Sequence, residues 1–215
     1  MSEETFTPAL GRLAPARFFD YVVALTRERL WRGLTVMHLA PRPDDTILDV
    51  GCGTGSLALL AARVEPQATI VGLDPDPEIL TVAREKDADG RVRWLTGMGE
   101  DLVASVGAES MDGVTSSLVL HQCPMDVKRA ILASMFAVLR PGGRLVIADF
   151  GLQRTRLMRL AFRFVQFADG KTDTQPNADG VLPELISDAG FNDVREADVV
   201  ATINGTISIY TARKR

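Results

Sequence analysis

An acid followed by three alternating glycines, Asp49-Val50-Gly51-Cys52-Gly53-Thr54-Gly55, concentrates more chemistry than any other stretch of this 215-residue chain. Glycines let the backbone approach a bound molecule without a Cβ clash, and the first turn of a following helix offers unpaired N–H groups. The spacing is G-x-G-x-G, whereas a dinucleotide loop asks for G-x-G-x-x-G with pyrophosphate on the helix N-terminus. Asp49, aimed into the loop, suits a cationic ligand and matches phosphate poorly. Gly72-Leu73-Asp74 adds a second acid, and an acid about 20 residues beyond such a loop can accept hydrogen bonds from both hydroxyls of a ribose. His121 is one of two histidines. Its ordinary pKa near working pH makes it a candidate general base, with a structural role in its loop as the alternative. Cys52 and Cys123 form no C-x-x-C, so neither zinc nor a disulfide framework is indicated.

The elements that must hold these residues follow from periodicity. Ile47-Leu48-Asp49-Val50 has strand composition, and Ser56 to Val64 continues as a helix. The alternation then repeats: strand 69–73, helix 77–85, strand 92–95, short helix 100–106, strand 112–116, helix 128–139 and strand 144–148. Such repeats favour a parallel sheet covered on both faces, with ligands at the carboxyl ends of its strands. Before them, 15–39 reads as one long helix or two short ones, ended by Pro41 and Pro43. After them, 154–168 is a helix, 169–179 a polar turn-rich segment and 181–189 a helix. Strands 194–201 and 206–212 flank Asn204-Gly205, a strong hairpin signal. The expected fold is therefore an α/β, Rossmann-like doubly wound sheet with helices on both faces, mostly parallel with a C-terminal antiparallel strand. It forms one domain: a helical cap (1–43), a ligand-binding core (44–150), an insertion (151–180) and a terminal helix and hairpin (181–215).

Composition narrows the partners. Lys and Arg number 24 against 28 Asp and Glu, a net charge of −4 that gives no general attraction to nucleic acid. The N-terminal residues lack the basic and apolar regions of a secretion signal, and no apolar run reaches membrane-spanning length. A cytoplasmic protein is expected, with contact to a membrane surface and a homodimer both left open.

Asp49 to Gly55 resembles the first motif of the class I S-adenosylmethionine-dependent methyltransferases. That resemblance implies S-adenosylmethionine as cofactor and S-adenosylhomocysteine as product, with Asp49, Gly51, Cys52, Gly53 and Gly55 around it. Asp74 would take the ribose, and Pro75, Met98, Gly99 and Glu100 would frame the adenine. Met98 departs from the family, standing where an Asp commonly meets the adenine amine. Residues 112–123 resemble the fourth-strand motif, placing Ser116 and Ser117 beneath the methionine part. They lack the Asn-Pro-Pro-aromatic pattern of nucleobase-amine enzymes and the carboxylates of metal-assisted catechol enzymes, so no metal is expected. Residues 182–191 and 205–214 are similar to the ending of the ubiquinone/menaquinone-biosynthesis type. The implied reaction is methyl transfer to a small, largely apolar metabolite, quinone-like, polyketide-like or lipid-related. A non-catalytic S-adenosylmethionine-binding regulatory or assembly protein and an NAD-dependent oxidoreductase are the alternatives. Phe18 and Tyr21 from the cap, and Arg163 and Gln166 from the insertion, are candidate acceptor contacts; Arg156, Arg159 and Arg163 share one face of their helix, which could hold an anionic group or meet an acidic membrane surface.

Overall fold

Apolar runs flanked by turn residues become the seven strands of a single sheet in the computed structural model, which describes residues 27–215. They are β1 (Thr46–Val50), β2 (Thr69–Asp74), β3 (Val92–Thr96), β4 (Met111–Ser117), β5 (Leu139–Phe150), β6 (Asn192–Thr202) and β7 (Gly205–Arg213). Their spatial order is β3-β2-β1-β4-β5-β7-β6. The first five run parallel, and β7 is antiparallel to both β5 and β6. The chain reverses direction of travel across the sheet between β1 and β4, the switch point where an open α/β sheet leaves a crevice.

Two apolar layers sandwich the sheet because successive strand residues point to opposite faces. Leu145 and Ile147 of β5 join Leu48, Val50, Leu132, Met135 and Ile186 on one side. Val146, Ala148 and Phe150 join Trp31, Leu39, Leu57 and Phe162 on the other. The first layer is closed by α5 (Met125–Val138) and α8 (Leu182–Asp188), the second by α1 (Glu28–Leu39), α2 (Ser56–Val64) and α6 (Arg156–Asp169). Between β2 and β3, α3 (Pro77–Lys86) starts with a proline at its first position and the Asp76 carboxylate accepting from the Glu78 and Ile79 N–H groups, at 2.8 and 3.4 Å.

Several expectations are corrected. The short helix expected over 100–106 is a 3₁₀ turn, Gly99–Asp101, followed by α4 (Leu102–Val106). Leu139 belongs to β5, which pairs with β4 from Met111↔Leu139 onward. The segment 169–179, expected as turns, contains α7 (Lys171–Ala178), with Pro176 inside it. Its polar composition conceals a docking face, since Thr174 and Asn177 are fully buried and the Asn177 amide donates to the Phe150 carbonyl at 3.0 Å. Among the described residues no helix is long and apolar enough to cross a membrane. Phe18 and Tyr21 lie outside the described residues.

Candidate functional site

At the carboxyl end of β1 the chain turns through its glycines and is held there by β2. The Gly51 and Cys52 N–H groups both donate to the Leu73 carbonyl, at 2.8 and 3.0 Å. The Gly53 N–H donates to Asp74 Oδ2 at 2.9 Å, and Asp74 Oδ1 accepts from Asp76 N at 3.0 Å. Asp74 thus fixes both the glycine loop and the turn into α3 with one carboxylate. The glycines answer to different demands. A Cβ on Gly55 (φ 79°) would lie 2.3 Å from the Trp94 ring, whereas one on Gly53 (φ 52°) would meet nothing within 4 Å and would project into open space.

That open space is a cavity of about 540 Å³ at the switch point. Gly51, Cys52 and Gly53 form its floor, Asp74 and Pro75 its next wall, and Met98, Gly99 and Glu100 the wall beyond, with Ser117 on the β4 side. Other expected residues stand elsewhere. Gly55 packs on Trp94. Ser116 is buried and donates its hydroxyl to the Val50 carbonyl at 2.7 Å, so in place of the expected cofactor contact it ties β4 to β1. Asp49 lies beneath the loop, buried, with both carboxylate oxygens lacking a hydrogen-bond partner. Burial pushes its pKa up to about 7, against the pull of the Arg32 cation. An orphaned acid under a loop that faces a cavity is a ready counter-charge for a cationic ligand.

Some of the walls come from residues that were not individually expected at the site. Trp31 and Arg32 reach the cavity from α1, and Arg32 also pairs with Glu28 one turn earlier. Leu118 and Val119 close the β4 side; Leu118 holds a left-handed backbone (φ 56°), unusual for a branched residue, and Val119 packs on Gly51. Cys123 also lines the cavity, and burial pushes its thiol up to about 12, which removes it as a thiolate nucleophile.

His121 does not line the cavity. It sits in a 3₁₀ turn, Leu120–Gln122, with Nδ1 donating to Asp149 Oδ1 at 2.7 Å and Nε2 3.4 Å from Asp169 Oδ2. Burial disfavours its charged form, but Asp149 and Asp169 outweigh that penalty and raise its pKa to about 9. Asp149 also accepts from the Leu120 and His121 N–H groups, at 2.7 and 3.3 Å, so the end of β5 organises the whole turn. His121 is thus buried with both ring nitrogens facing carboxylates, the geometry of the structural role that was the alternative to a base. Lys128, fully buried on α5, reinforces the same turn by donating to the carbonyls of His121, Cys123 and Asp173.

Arg163 and Gln166 line a second cavity, of about 340 Å³, between α6 and α7 with Arg156, Arg159 and Lys171. Neither lines the first cavity.

The family described as "Methyltransferase domain" matches residues 47–143. The ubiquinone/menaquinone biosynthesis C-methyltransferase UbiE of Syntrophotalea carbinolica is 30% identical over 95% of this chain and 92% of its own. Its counterpart in Geotalea daltonii is 31% identical over 68% of this chain, a match that spans 63% of that enzyme's length. Among solved structures, Haemonchus contortus phosphoethanolamine N-methyltransferase 2, in complex with phosphomonomethylethanolamine and S-adenosylhomocysteine, has a TM-score of 0.72 at 16% identity, covering 93% of this chain and 56% of its own. At that identity the likeness is one of fold.

Proposed function

Because the chain belongs to the class I S-adenosylmethionine-dependent methyltransferases, with ubiquinone/menaquinone C-methyltransferases among its relatives, we propose that it methylates a small quinol-like acceptor with a largely apolar body. S-adenosylmethionine is the cofactor. The observation that carries the acceptor reading is the mixed lining of the cavity of about 540 Å³. Acids and glycine backbone (Asp74, Glu100, Gly53) line it together with the apolar side chains of Leu118, Val119, Val127 and Ile131. The acids and backbone groups suit a cationic nucleoside, and the apolar side chains suit an apolar ring.

Bound there, the cofactor supplies a methyl group already activated by the positive charge on its sulfur. Asp74 would hold the ribose, since each of its oxygens accepts one backbone N–H and keeps a lone pair for a second donor. Asp49 would supply the negative charge beneath the loop, and Pro75, Met98 and Gly99 would frame the base. With little covalent work left to the protein, Leu118 and Val119 contribute by orienting the acceptor and excluding water. His121 is assigned as a positioning cation: it keeps its proton through the neutral range and fixes the turn that carries Gln122 and Cys123 to the cavity.

The test is transfer of labelled methyl from S-adenosylmethionine to a short-tailed naphthohydroquinone, with catechol and phosphoethanolamine as comparison acceptors. Label is expected in the hydroquinone. Label in phosphoethanolamine alone, or in none of the three while the cofactor binds, would overturn the acceptor reading.

A further inference from the structure

The outermost face of α6 is apolar. Leu157, Leu160, Phe164 and Phe167 recur three or four residues apart, and all are exposed, Phe167 by 86% and Leu157 by 75%. Phe162 and Val165, on the opposite side of the helix, are the ones buried against the sheet. Four large side chains along one exposed stripe exceed the scattered apolar residues of an ordinary surface.

Along one edge of this stripe run Arg156, Arg159 and Arg163. Arg159 donates to the Gln153 carbonyl at 2.9 Å, while neither Arg156 nor Arg163 pairs with an acidic side chain among the described residues. The chain as a whole carries a net charge of −4, so this concentration of cations is local. An apolar stripe edged by arginines is the pattern of a helix lying in the plane of a bilayer interface, with rings in the acyl boundary and guanidinium groups on lipid phosphates.

We propose that α6 docks the protein onto an anionic lipid surface and so brings the cleft to an acceptor dissolved in the membrane. The second half of the statement rests on the apolar acceptor proposed above; the docking does not. The helix is coupled to the cleft at its far end, where Asp169 meets His121 and the adjoining Gln122 and Cys123 line the cavity. A protein held by α6 would therefore have its lipid contact and its cavity wall on one continuous piece of structure.

Co-sedimentation of the full chain with phosphatidylcholine vesicles, with and without phosphatidylglycerol, tests this. Binding is expected to be at least tenfold tighter when phosphatidylglycerol is present, and to weaken with salt. Phe164→Glu/Phe167→Glu and Arg156→Gln/Arg163→Gln should each lower it tenfold or more, with S-adenosylmethionine affinity and Tm unchanged. Three results overturn the proposal. Wild type could ignore both vesicle types. The two double variants could bind as wild type does. The phenylalanine variant could lose Tm, or lose a dimer in ultracentrifugation, with no vesicle binding by wild type, which would show that protein covers this face. Solution assays with the short-tailed hydroquinone separate the two readings, since they fail only if the acceptor is wrong.

Discussion

Gly53 and Gly55 lie two residues apart and should fail differently. Gly55→Ala forces a Cβ onto Trp94 at a left-handed φ, so it should destabilise the fold by about 2 kcal/mol or more, seen in Tm, with cofactor affinity lost as a consequence. Gly53→Ala meets no protein atom. It should cost only about 1 kcal/mol of stability yet weaken S-adenosylmethionine binding at least tenfold, as calorimetry would show; equal damage to both properties in both variants would refute the distinction. His121 gives a pH signature. Its folded pKa, about 9, exceeds the ordinary 6.5, so the stability it contributes is complete below about pH 6.5 and lost as pH rises through about 9. His121→Gln should therefore lower Tm at pH 7 by roughly 5 °C or more, and the gap to wild type should close towards pH 10. A gap that does not change with pH would mean the ring is held by packing alone. The convergence of Gly51, Gly53 and Asp74 on one cavity was legible because it follows from short, local spacing. The pairing of His121 with Asp149 was not, because it joins two elements 28 residues apart and each residue alone is ordinary.

Elements whose interiors are apolar declared themselves by period, as β1, β2, β5 and α5 did. The α7 segment escaped because its contacts are polar: Thr174 and Asn177 are its buried side chains, and tertiary hydrogen bonds override a weak helix-forming composition that includes Pro176. Lys128 was likewise read only as part of a helix, although its ammonium joins α5, the turn after β4, and α7. Lys128→Met should leave three carbonyls without this donor and destabilise by about 2 to 3 kcal/mol. Because the loss falls on one joint, limited proteolysis should begin in the 170s while the sheet stays protected; uniform cleavage along the chain would refute the joint. Orientation of α6 was only half legible. The sequence showed an amphipathic helix with an arginine face, but periodicity alone does not say which apolar side chains meet the sheet, and Phe162 and Val165 took that place.

For the whole molecule, ligand linkage tests the cofactor assignment without any acceptor. S-adenosylhomocysteine at a hundred times its Kd should stabilise the fold by about 2.7 kcal/mol, a Tm rise of roughly 5 to 10 °C for a chain of this size, while NAD at the same concentration should leave Tm where it was. A shift with NAD alone would contradict the assignment. The order of the strands bears on something else, the route by which the fold is reached. β7 is the last strand in sequence, yet it lies between β5 and β6, pairing from Phe150↔Ile207 to Arg144↔Arg213. Its hairpin with β6 forms from neighbouring residues, but its seam with β5 must close a long stretch of intervening chain, which is slow. Until that seam closes, β5 presents an unpaired edge built from Val146, Ile147 and Ala148, side chains that end fully buried. A refolding chain is then a template for its neighbours, and its yield depends on how soon one late strand arrives as much as on the strength of the finished sheet.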